Sequence, residues 1–146
     1  MKAAHLLVVE DDENDIFFLK RAFDRSGVTN PLCIVQSGQE AIDYLRGENT
    51  YSDRTRYPFP AMVLLDLKLP CVNGIDVLRW IRKQPDCSGL PVIVLTSSTL
   101  KTDIEEAYAS GANSYVVKPA SPEVLANMMR DFANWWLRHN RFSGRD

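Results

Sequence analysis

Carboxylate, hydroxyl and amine side chains follow four short apolar runs of this sequence. They are Glu10, Asp11 and Asp12 after the first run, then Asp66, Thr96 and Lys118. Because the carboxyl ends of parallel strands meet at one edge of a sheet, we expect these side chains to lie close together. Carboxylates held together repel one another, and a hard divalent cation with oxygen ligands relieves that repulsion. The set therefore predicts a Mg²⁺ site where Lys118 and Thr96 would stabilise phosphoryl transfer onto a carboxylate oxygen.

Asp66 interrupts the most apolar of these runs, which extends from Ala61 to Pro70. A continuous apolar run is typical of a central parallel strand that is covered on both faces. Taken alone, Asp66 could equally well cap a loop. The prediction of a site therefore depends on what the other strands bring to the same edge.

The apolar runs alternate with segments of helical periodicity. Strands are predicted at about 5–9, 32–35, 61–65, 90–95 and 114–117, and helices at about 13–26, 38–46, 73–83, 101–110 and 122–139. This alternation predicts an α/β fold in which a parallel sheet has helices on both faces. Residues 47–60 lose all periodicity, so we expect a surface-loop insertion there.

The length and charge of the chain limit the classes of protein that it can be. A chain of 146 residues is long enough for one domain with a full core, and its net charge of −2 gives no basic field for nucleic acid. No apolar run reaches the roughly 18 residues of a membrane span, and the start has no signal-peptide pattern. We therefore expect a single cytoplasmic domain, with no direct nucleic-acid or membrane partner.

The last predicted helix has more apolar surface than one core contact requires. Its apolar residues from Val124 to Trp136 spread over about 140°, whereas a single core contact needs about 100°. Leu137 is predicted to project on the opposite side of the helix. The central stripe is predicted to be core, and Trp135 with Leu137 is predicted to form an interface, which includes the option of a homodimer.

Four short motifs, in this order and each at a strand end, resemble one known family. They are VVEDD, LLDLKLPCVNG, VLTSS and YVVKP. As a set, they resemble the receiver domain of bacterial two-component response regulators. The resemblance covers about residues 4–139, leaves a short tail at 140–146, and implies a flavodoxin-like (βα)5 fold with strand order 2-1-3-4-5.

The resemblance also implies a role for each site residue. Asp66 would be the phosphoacceptor, and the Mg²⁺ ligands would be Asp66, Asp11 directly, Glu10 through water, and the backbone carbonyl of Lys68, with Asp12 a weaker candidate. Thr96 would donate to a phosphoryl oxygen, and Lys118 would pair with Asp66 or its phosphate. Tyr115 would be an aromatic switch together with Thr96, and the Lys118–Pro119 peptide bond would be cis.

The function that this resemblance implies is that of a stand-alone response regulator. It would accept phosphate from a histidine kinase and signal to a downstream protein through a surface made by helix 4, strand 5 and helix 5. The insertion at 47–60, the Asn30-Pro31 pair and the Trp-rich last helix are similar to the small regulators that work with phytochrome-type histidine kinases.

Two other functions are compatible with the predicted topology. A flavodoxin-like mononucleotide binder would use the same edge, but three acids after the first strand would repel an anionic cofactor. A degenerate receiver would act as an interaction module without taking phosphate. The presence of Asp66, Asp11, Thr96 and Lys118 together argues against that second alternative.

Overall fold

The computed structural model describes residues 4–143, which contain a five-stranded sheet flanked by helices. The elements in chain order are β1 (Leu6–Val9), α1 (Glu13–Ser26), β2 (Leu32–Val35), α2 (Gly38–Arg46), β3 (Met62–Leu65), α3 (Gly74–Lys83), β4 (Val92–Thr96), α4 (Lys101–Ala109), β5 (Ser114–Val117) and α5 (Pro122–Phe132). A short 3₁₀ turn covers Asn49–Tyr51, and a π-helical segment, Ala133–His139, continues α5.

All five strands are parallel, and their order is β2-β1-β3-β4-β5. The predicted α/β fold and the strand order that the resemblance implied are therefore both confirmed. The central strands are in register, since Val9 lies opposite Leu65 and Leu65 lies opposite Val94. This register makes β1 and β3 end at the same level of the sheet, whereas β4 continues two residues further, to Thr96. The predicted site residues lie at or directly after these strand ends.

The core has two layers because successive strand side chains point to opposite faces of the sheet. Leu7 and Val9 of β1 join the layer under α2 and α3, whereas Leu6 and Val8 join the layer under α1 and α5. All four residues of β1 and all four of β3 are buried. Continuous apolar runs are thus explained by burial on both faces.

Polar side chains cap the beginnings of the helices that follow β1 and β3, the strands that precede Glu10 and Asp66. Asp12 accepts a hydrogen bond from the Asp15 N–H at 2.9 Å and caps α1. Asn73 does the same for the Asp76 N–H at 2.9 Å and caps α3. Each bond satisfies a backbone donor that the helix itself leaves without a partner.

The insertion at 47–60 contains one 3₁₀ turn and is otherwise irregular, but its tyrosine side chains are packed. The rings of Tyr44, Tyr51 and Tyr57 pack against one another with centroids 5.0 to 6.2 Å apart. The Tyr44 hydroxyl donates to the Pro58 carbonyl at 2.8 Å, and Arg54 donates to the carbonyl of Tyr57 at 3.0 Å. Aromatic packing and these bonds hold the segment against the α2 side of the core.

The predicted position of Leu137 is wrong. Leu137 is half-buried and packs against the core layer under α1 and α5. The reason is the π-helical segment, where Asn140 N–H donates to the Trp135 carbonyl at 2.7 Å. A π-helix has more residues per turn than the 3.6 assumed for the sequence, so each residue rotates less and Leu137 returns to the core side. Trp135 is 62% exposed, and its role in an interface stays a prediction.

Within residues 4–143, no helix is both long enough and apolar enough to cross a membrane.

Candidate functional site

Backbone hydrogen bonds extend the sheet by one residue beyond three of its strands. The N–H of Glu10 donates to the last carbonyl of β2 at 3.0 Å, and the N–H of Asp66 donates to the last carbonyl of β1 at 3.0 Å. The N–H of Lys118 donates to the Thr96 carbonyl at 2.8 Å. Each of these residues is therefore held in the strand register, so its side chain is positioned by the sheet and not by a flexible loop.

The ammonium group of Lys118 joins three carboxylates at this edge. Lys118 Nζ is 3.0 Å from Asp66 Oδ2 and 3.0 Å from Asp15 Oδ2, and it also donates to Glu10 Oε1. The side chains of Glu10, Asp66 and Lys118 are 4%, 9% and 14% exposed, whereas that of Asp15 is 45% exposed. The edge thus contains a buried ion-pair network with one partner open to solvent.

Burial and mutual contact change the pKa values in this network. Burial raises the pKa of Glu10 from 4.5 to about 7; the hydrogen bond and charge of Asp66 also raise it, and Lys118 opposes them. Burial acts to raise the pKa of Asp66 as well, but the hydrogen bond from Glu10 and the charge of Lys118 outweigh it. The pKa of Asp66 is therefore lower than that of an ordinary aspartate.

The pKa of Lys118 is raised although burial acts to lower it, because the hydrogen bond to Glu10 and the charge of Asp66 both favour the ammonium form. At neutral pH, Asp66 is therefore an anion and Lys118 a cation.

Thr96 is fully buried at the end of β4, and its hydroxyl has no hydrogen-bond partner within the described part of the chain. An unpaired buried hydroxyl costs about 1–3 kcal/mol. Such groups are uncommon in folded proteins and call for an explanation. A hydroxyl at this edge is available to a ligand oxygen without first breaking another bond.

Tyr115 is connected to the loop that follows β4. Its hydroxyl donates to the Ser98 carbonyl at 2.9 Å, and its ring is half-buried. Ser98 is buried, with 5% of its surface exposed. Its hydroxyl donates to Asp103 Oδ2 at 2.5 Å and accepts from the Leu100 N–H at 3.3 Å. The β4–α4 loop, α4 and β5 are therefore tied together through Ser98, a connection that sequence reasoning did not identify.

Two of the predicted ligand residues are not part of the carboxylate network. Asp11 is exposed and is not among the acids that lie close together, and Asp12 is occupied as the cap of α1. Lys68 is exposed, and its N–H donates to Asp66 Oδ1 at 3.2 Å. This bond orients the Asp66 carboxylate, while the ligand role of the Lys68 carbonyl stays a prediction.

The prediction of a cis Lys118–Pro119 bond is wrong, since residues 4–143 contain no cis peptide bond. The trans form is favoured by about 0.5–1 kcal/mol for a bond that precedes proline. In the trans form, Lys118 already reaches Glu10 and Asp66 from the end of β5. Its position therefore does not require the cis isomer.

Gly74, the first residue of α3, allows the helix to begin directly beneath the Asp66 strand end. A Cβ added at Gly74 would lie 2.3 Å from the Asp66 carbonyl oxygen and 2.6 Å from Leu67 Cα. The Gly74 N–H donates to the Leu67 carbonyl at 3.0 Å. A larger residue would have to displace the backbone that carries Asp66, since those contacts are to main-chain atoms.

Glu10, Asp15 and Asp66 could together hold a metal ion. Each offers one carboxylate oxygen, and these oxygens lie within 4.8 Å of one another. Oxygen donors of this kind suit hard cations such as Mg²⁺, which binds few protein carboxylates and keeps its waters. The donor set therefore fits the predicted metal, with Asp15 in the place that the sequence assigned to Asp11.

Asp15 was missed because it follows no strand. It lies in the first turn of α1, three residues after the Asp12 cap. Since side chains of a helix lean toward its N-terminus, an acid at that position can lean back over the strand edge. The three-residue spacing from a capping Asp was the available signal, and it could be interpreted only after the start of the helix had been placed.

A comparison with protein families matches residues 6–130 of the chain to the model described as "Response regulator receiver domain". The chain belongs to the response regulator receiver family. The recognition made from the four motifs is therefore confirmed, and the carboxyl edge described above is the edge of a receiver domain of the two-component type.

Relatives of this receiver domain have been named in several organisms. The probable methanogenesis regulatory protein FilR2 of Methanothrix harundinacea is 38% identical over 139 residues, which cover 95% of this chain and 87% of the relative. Response regulator RPA3017, in red light signalling of R. palustris, superimposes with a TM-score of 0.92 at 34% identity over 97% of this chain and 99% of its own. The phosphorylated cyanobacterial phytochrome response regulator RcpA superimposes with a TM-score of 0.90 at 31% identity. The superposition covers 98% of this chain and 100% of RcpA.

Proposed function

We propose that this receiver domain accepts a phosphoryl group on Asp66 from a histidine kinase, with Mg²⁺ as cofactor. The observation that best supports the proposal is the position of the Lys118 ammonium, 3.0 Å from the buried Asp66 carboxylate. The unpaired hydroxyl of Thr96 at the adjacent strand end supplies a donor that the resting protein does not use.

The reaction follows from the charges at the edge. An Asp66 oxygen forms a bond to phosphorus while the bond from phosphorus to the donor atom breaks, and the donor leaves with that electron pair and takes up a proton. The lowered pKa of Asp66 keeps the attacking carboxylate ionised. Lys118 and Thr96 stabilise the negative charge on the phosphoryl oxygens by an ion pair and a hydrogen bond.

Glu10, Asp15 and Asp66 are the residues that would hold Mg²⁺. When bound, the ion offsets negative charge on the carboxylates and on the phosphoryl oxygens. Asp11 and the Lys68 carbonyl remain proposed ligands, which a change of side-chain or loop conformation would have to bring to the ion.

The signal would leave the site through the β4–α4 loop. Phosphorylation adds a charge of roughly −1.5 to −2, which would draw the Thr96 hydroxyl and Lys118 toward Asp66. Thr96 and Ser98 belong to the same short segment, so their movement would disturb the bond between Tyr115 and the Ser98 carbonyl. The surface of α4, β5 and α5 would then change for a downstream protein target or a second copy of the chain.

We further propose that the kinase is of the phytochrome type. The names of RPA3017 and RcpA support this partner class, since they refer to red light signalling and to a phytochrome. FilR2 is named for a different process. Phosphotransfer from a purified phytochrome-type kinase, compared with a chemoreceptor-type kinase, would test the assignment through the relative initial rates.

The phosphorylation itself is tested with acetyl phosphate and Mg²⁺, followed by intact mass spectrometry. The wild-type protein should gain one phosphoryl group, and Asp66→Asn should gain none. Asp43→Asn, a change of an acid on α2 away from the edge, is the matched control and should react like the wild type. If the wild type takes no phosphate from this donor or from a kinase, the domain is a degenerate receiver.

A further inference from the structure

β5 is an edge strand of the sheet, and one of its outward-facing donors is occupied by a tyrosine side chain. The strand pairs with β4 on one side only. The N–H of Lys118 donates to the Thr96 carbonyl, so the N–H of Tyr115, three residues earlier, points away from β4. Its acceptor is the hydroxyl of Tyr108, in the last turn of α4, at 3.1 Å. The Tyr108 hydroxyl therefore takes the place that a further strand would have at this edge.

α4 is attached to the domain more by polar contacts than by its core face. Within the described helix Lys101–Ala109, Ala107 is the one buried residue, whereas α3 buries five. Leu100, directly before α4, is 62% exposed and supplies no side-chain cap. The ion pair between Arg79 and Glu106, at 3.3 Å, is half-exposed and adds little. Since little apolar burial opposes a movement of α4, its position depends on the hydrogen bonds at its two ends.

Each end of α4 is bonded to a different neighbour. Near the N-terminal end, Asp103 accepts from the buried hydroxyl of Ser98 in the β4–α4 loop. Near the C-terminal end, Tyr108 accepts from the N–H of Tyr115 in β5. Tyr115 is also bonded to the loop, since its hydroxyl donates to the Ser98 carbonyl at 2.9 Å. Tyr115 therefore contacts the loop through its side chain and α4 through its main chain.

We propose that Tyr108 is a positioning residue that passes a movement of Tyr115 on to the C-terminal end of α4. This step rests on the function proposed above, in which phosphorylation of Asp66 disturbs the contact between Tyr115 and Ser98. A shift of Tyr115 displaces its N–H, and the Tyr108 hydroxyl either follows that donor or loses it. Removing the Tyr108 hydroxyl breaks this hydrogen bond between α4 and β5, so the last turn of α4 no longer responds to Tyr115.

The first test measures hydrogen exchange of the Tyr115 amide in the unphosphorylated protein by NMR. Tyr108→Phe removes the acceptor and keeps the ring, so this amide should exchange about two- to fivefold faster, the factor expected for one exposed hydrogen bond. Amides of β4 should exchange at the wild-type rates if the fold as a whole is unchanged. Tyr51→Phe is the matched control, because it removes a tyrosine hydroxyl that donates to Glu40 on α2. It should leave the exchange of the Tyr115 amide unchanged.

The second test measures how Mg²⁺ and beryllofluoride, a mimic of the phosphoryl group, change the exchange of amides 110–112. These amides donate to carbonyls in the last turn of α4. At concentrations that saturate each protein, the mimic should change their rates about fivefold in the wild type and less than about twofold in Tyr108→Phe. A merely structural role of Tyr108 would alter the rates in both states by the same factor and leave this response intact.

Tyr115→Phe tests the same path from its other end. This variant keeps the main-chain N–H but loses the bond to the Ser98 carbonyl. The amide at position 115 should therefore stay protected in the unphosphorylated protein, while the response of amides 110–112 to the mimic is lost. Combining it with Tyr108→Phe should reduce the response no further, since both changes interrupt one path.

The possible outcomes distinguish the role of Tyr108 from the proposed function. If the Tyr115 amide exchanges at the wild-type rate in Tyr108→Phe, the contact does not hold the edge and the proposed role is wrong. The role is also wrong if amides 110–112 respond to the mimic as strongly in Tyr108→Phe as in the wild type, or do not respond in the wild type. If the wild type takes no phosphate and binds no mimic, the proposed function fails, and the transmission by Tyr108 fails with it.

Discussion

Lys118 and Arg82 are two sequestered cations at opposite ends of the same sheet, and they are stabilised in different ways. Lys118 lies at the carboxyl edge among three carboxylates. Arg82 lies at the amino edge, where its side-chain hydrogen bonds within residues 4–143 have neutral oxygens as acceptors. Those acceptors are the carbonyls of Gly111 at 2.9 Å, Ser88 at 3.2 Å and Leu90 at 2.7 Å, and Asn113 Oδ1 at 2.8 Å.

The neutral acceptors of Arg82 are typical of a structural contact, whereas the carboxylate partners of Lys118 are typical of a reactive site. The planar guanidinium of Arg82 matches several fixed acceptors at once and ties the end of α3 to the loops before β4 and β5. Those acceptors carry no net charge, so these contacts do not themselves attract a second ion. The Lys118 edge carries excess negative charge in the absence of a metal, and a cation or a rearrangement can lower its energy.

Replacing Lys118 should have the largest effect, and mainly on chemistry. Lys118→Met removes the positive charge beside Asp66, so the rate of phosphorylation by acetyl phosphate should fall about 10²- to 10³-fold. Intact mass spectrometry at timed intervals gives the rate. Lys101→Met is the matched control, since that lysine is 88% exposed and pairs with Glu105. A Lys118→Met protein that reacts within a few-fold of the control would contradict the assigned role.

Replacing Arg82 should affect stability instead. Arg82→Met leaves several loop carbonyls without their donor, so the free energy of unfolding should fall by about 3 kcal/mol. Urea denaturation followed by circular dichroism measures the change, and the phosphorylation rate of the folded protein should stay near the wild-type value. Arg79→Met removes an arginine that pairs with Asp76 and Glu106 on the surface, and it should cost less than about 1 kcal/mol. If Arg82→Met and Arg79→Met lower the free energy of unfolding by the same amount, the Arg82 contacts stabilise the fold no more than a surface ion pair does.

The sequence predicted the carboxyl edge far better than the amino edge. Asp66, Thr96 and Lys118 each end or follow an apolar run, so strand order alone brings them together. The contacts of Arg82 join residues 6 to 31 positions apart through two loops, those before β4 and β5, and nothing in local periodicity indicates them.

The errors share a physical cause. Asp15 reaches the site from a helix turn, and Leu137 returns to the core through a change from α- to π-helical hydrogen bonding. Both depend on how a helix is placed and wound, whereas the hydrophobic pattern reports only which residues share a face under an assumed period. The tyrosine packing around Tyr51 was missed for a related reason, since a segment without periodicity can still pack against a core.

A smaller effect is expected on the pH dependence of the free energy of unfolding, to which Glu10 at the carboxyl edge contributes. The pKa of Glu10 is raised from 4.5 to about 7 in the folded, metal-free protein, mainly by burial. A raised pKa means that the folded state binds the proton more tightly than the unfolded state. The stabilisation of the folded state by this proton is therefore complete below pH 4.5 and is lost as the pH rises through 7. Its maximum for this pKa shift is about 3 kcal/mol.

Urea denaturation in EDTA from about pH 5 to about pH 8 should show this loss in the wild type. Glu10→Gln keeps a neutral side chain at every pH, so the stability difference between the two proteins should change by about 1–3 kcal/mol over that range. Glu13→Gln, which changes an exposed acid of α1, should follow the wild-type curve. Mg²⁺ should restore stability to the wild type most strongly at high pH, where Glu10 is ionised and its charge favours the cation. Parallel curves for wild type and Glu10→Gln would mean that the pKa of Glu10 is not raised and that Glu10 is charged in the folded protein. The ion pairs at the carboxyl edge would then be structural contacts, like those of Arg82.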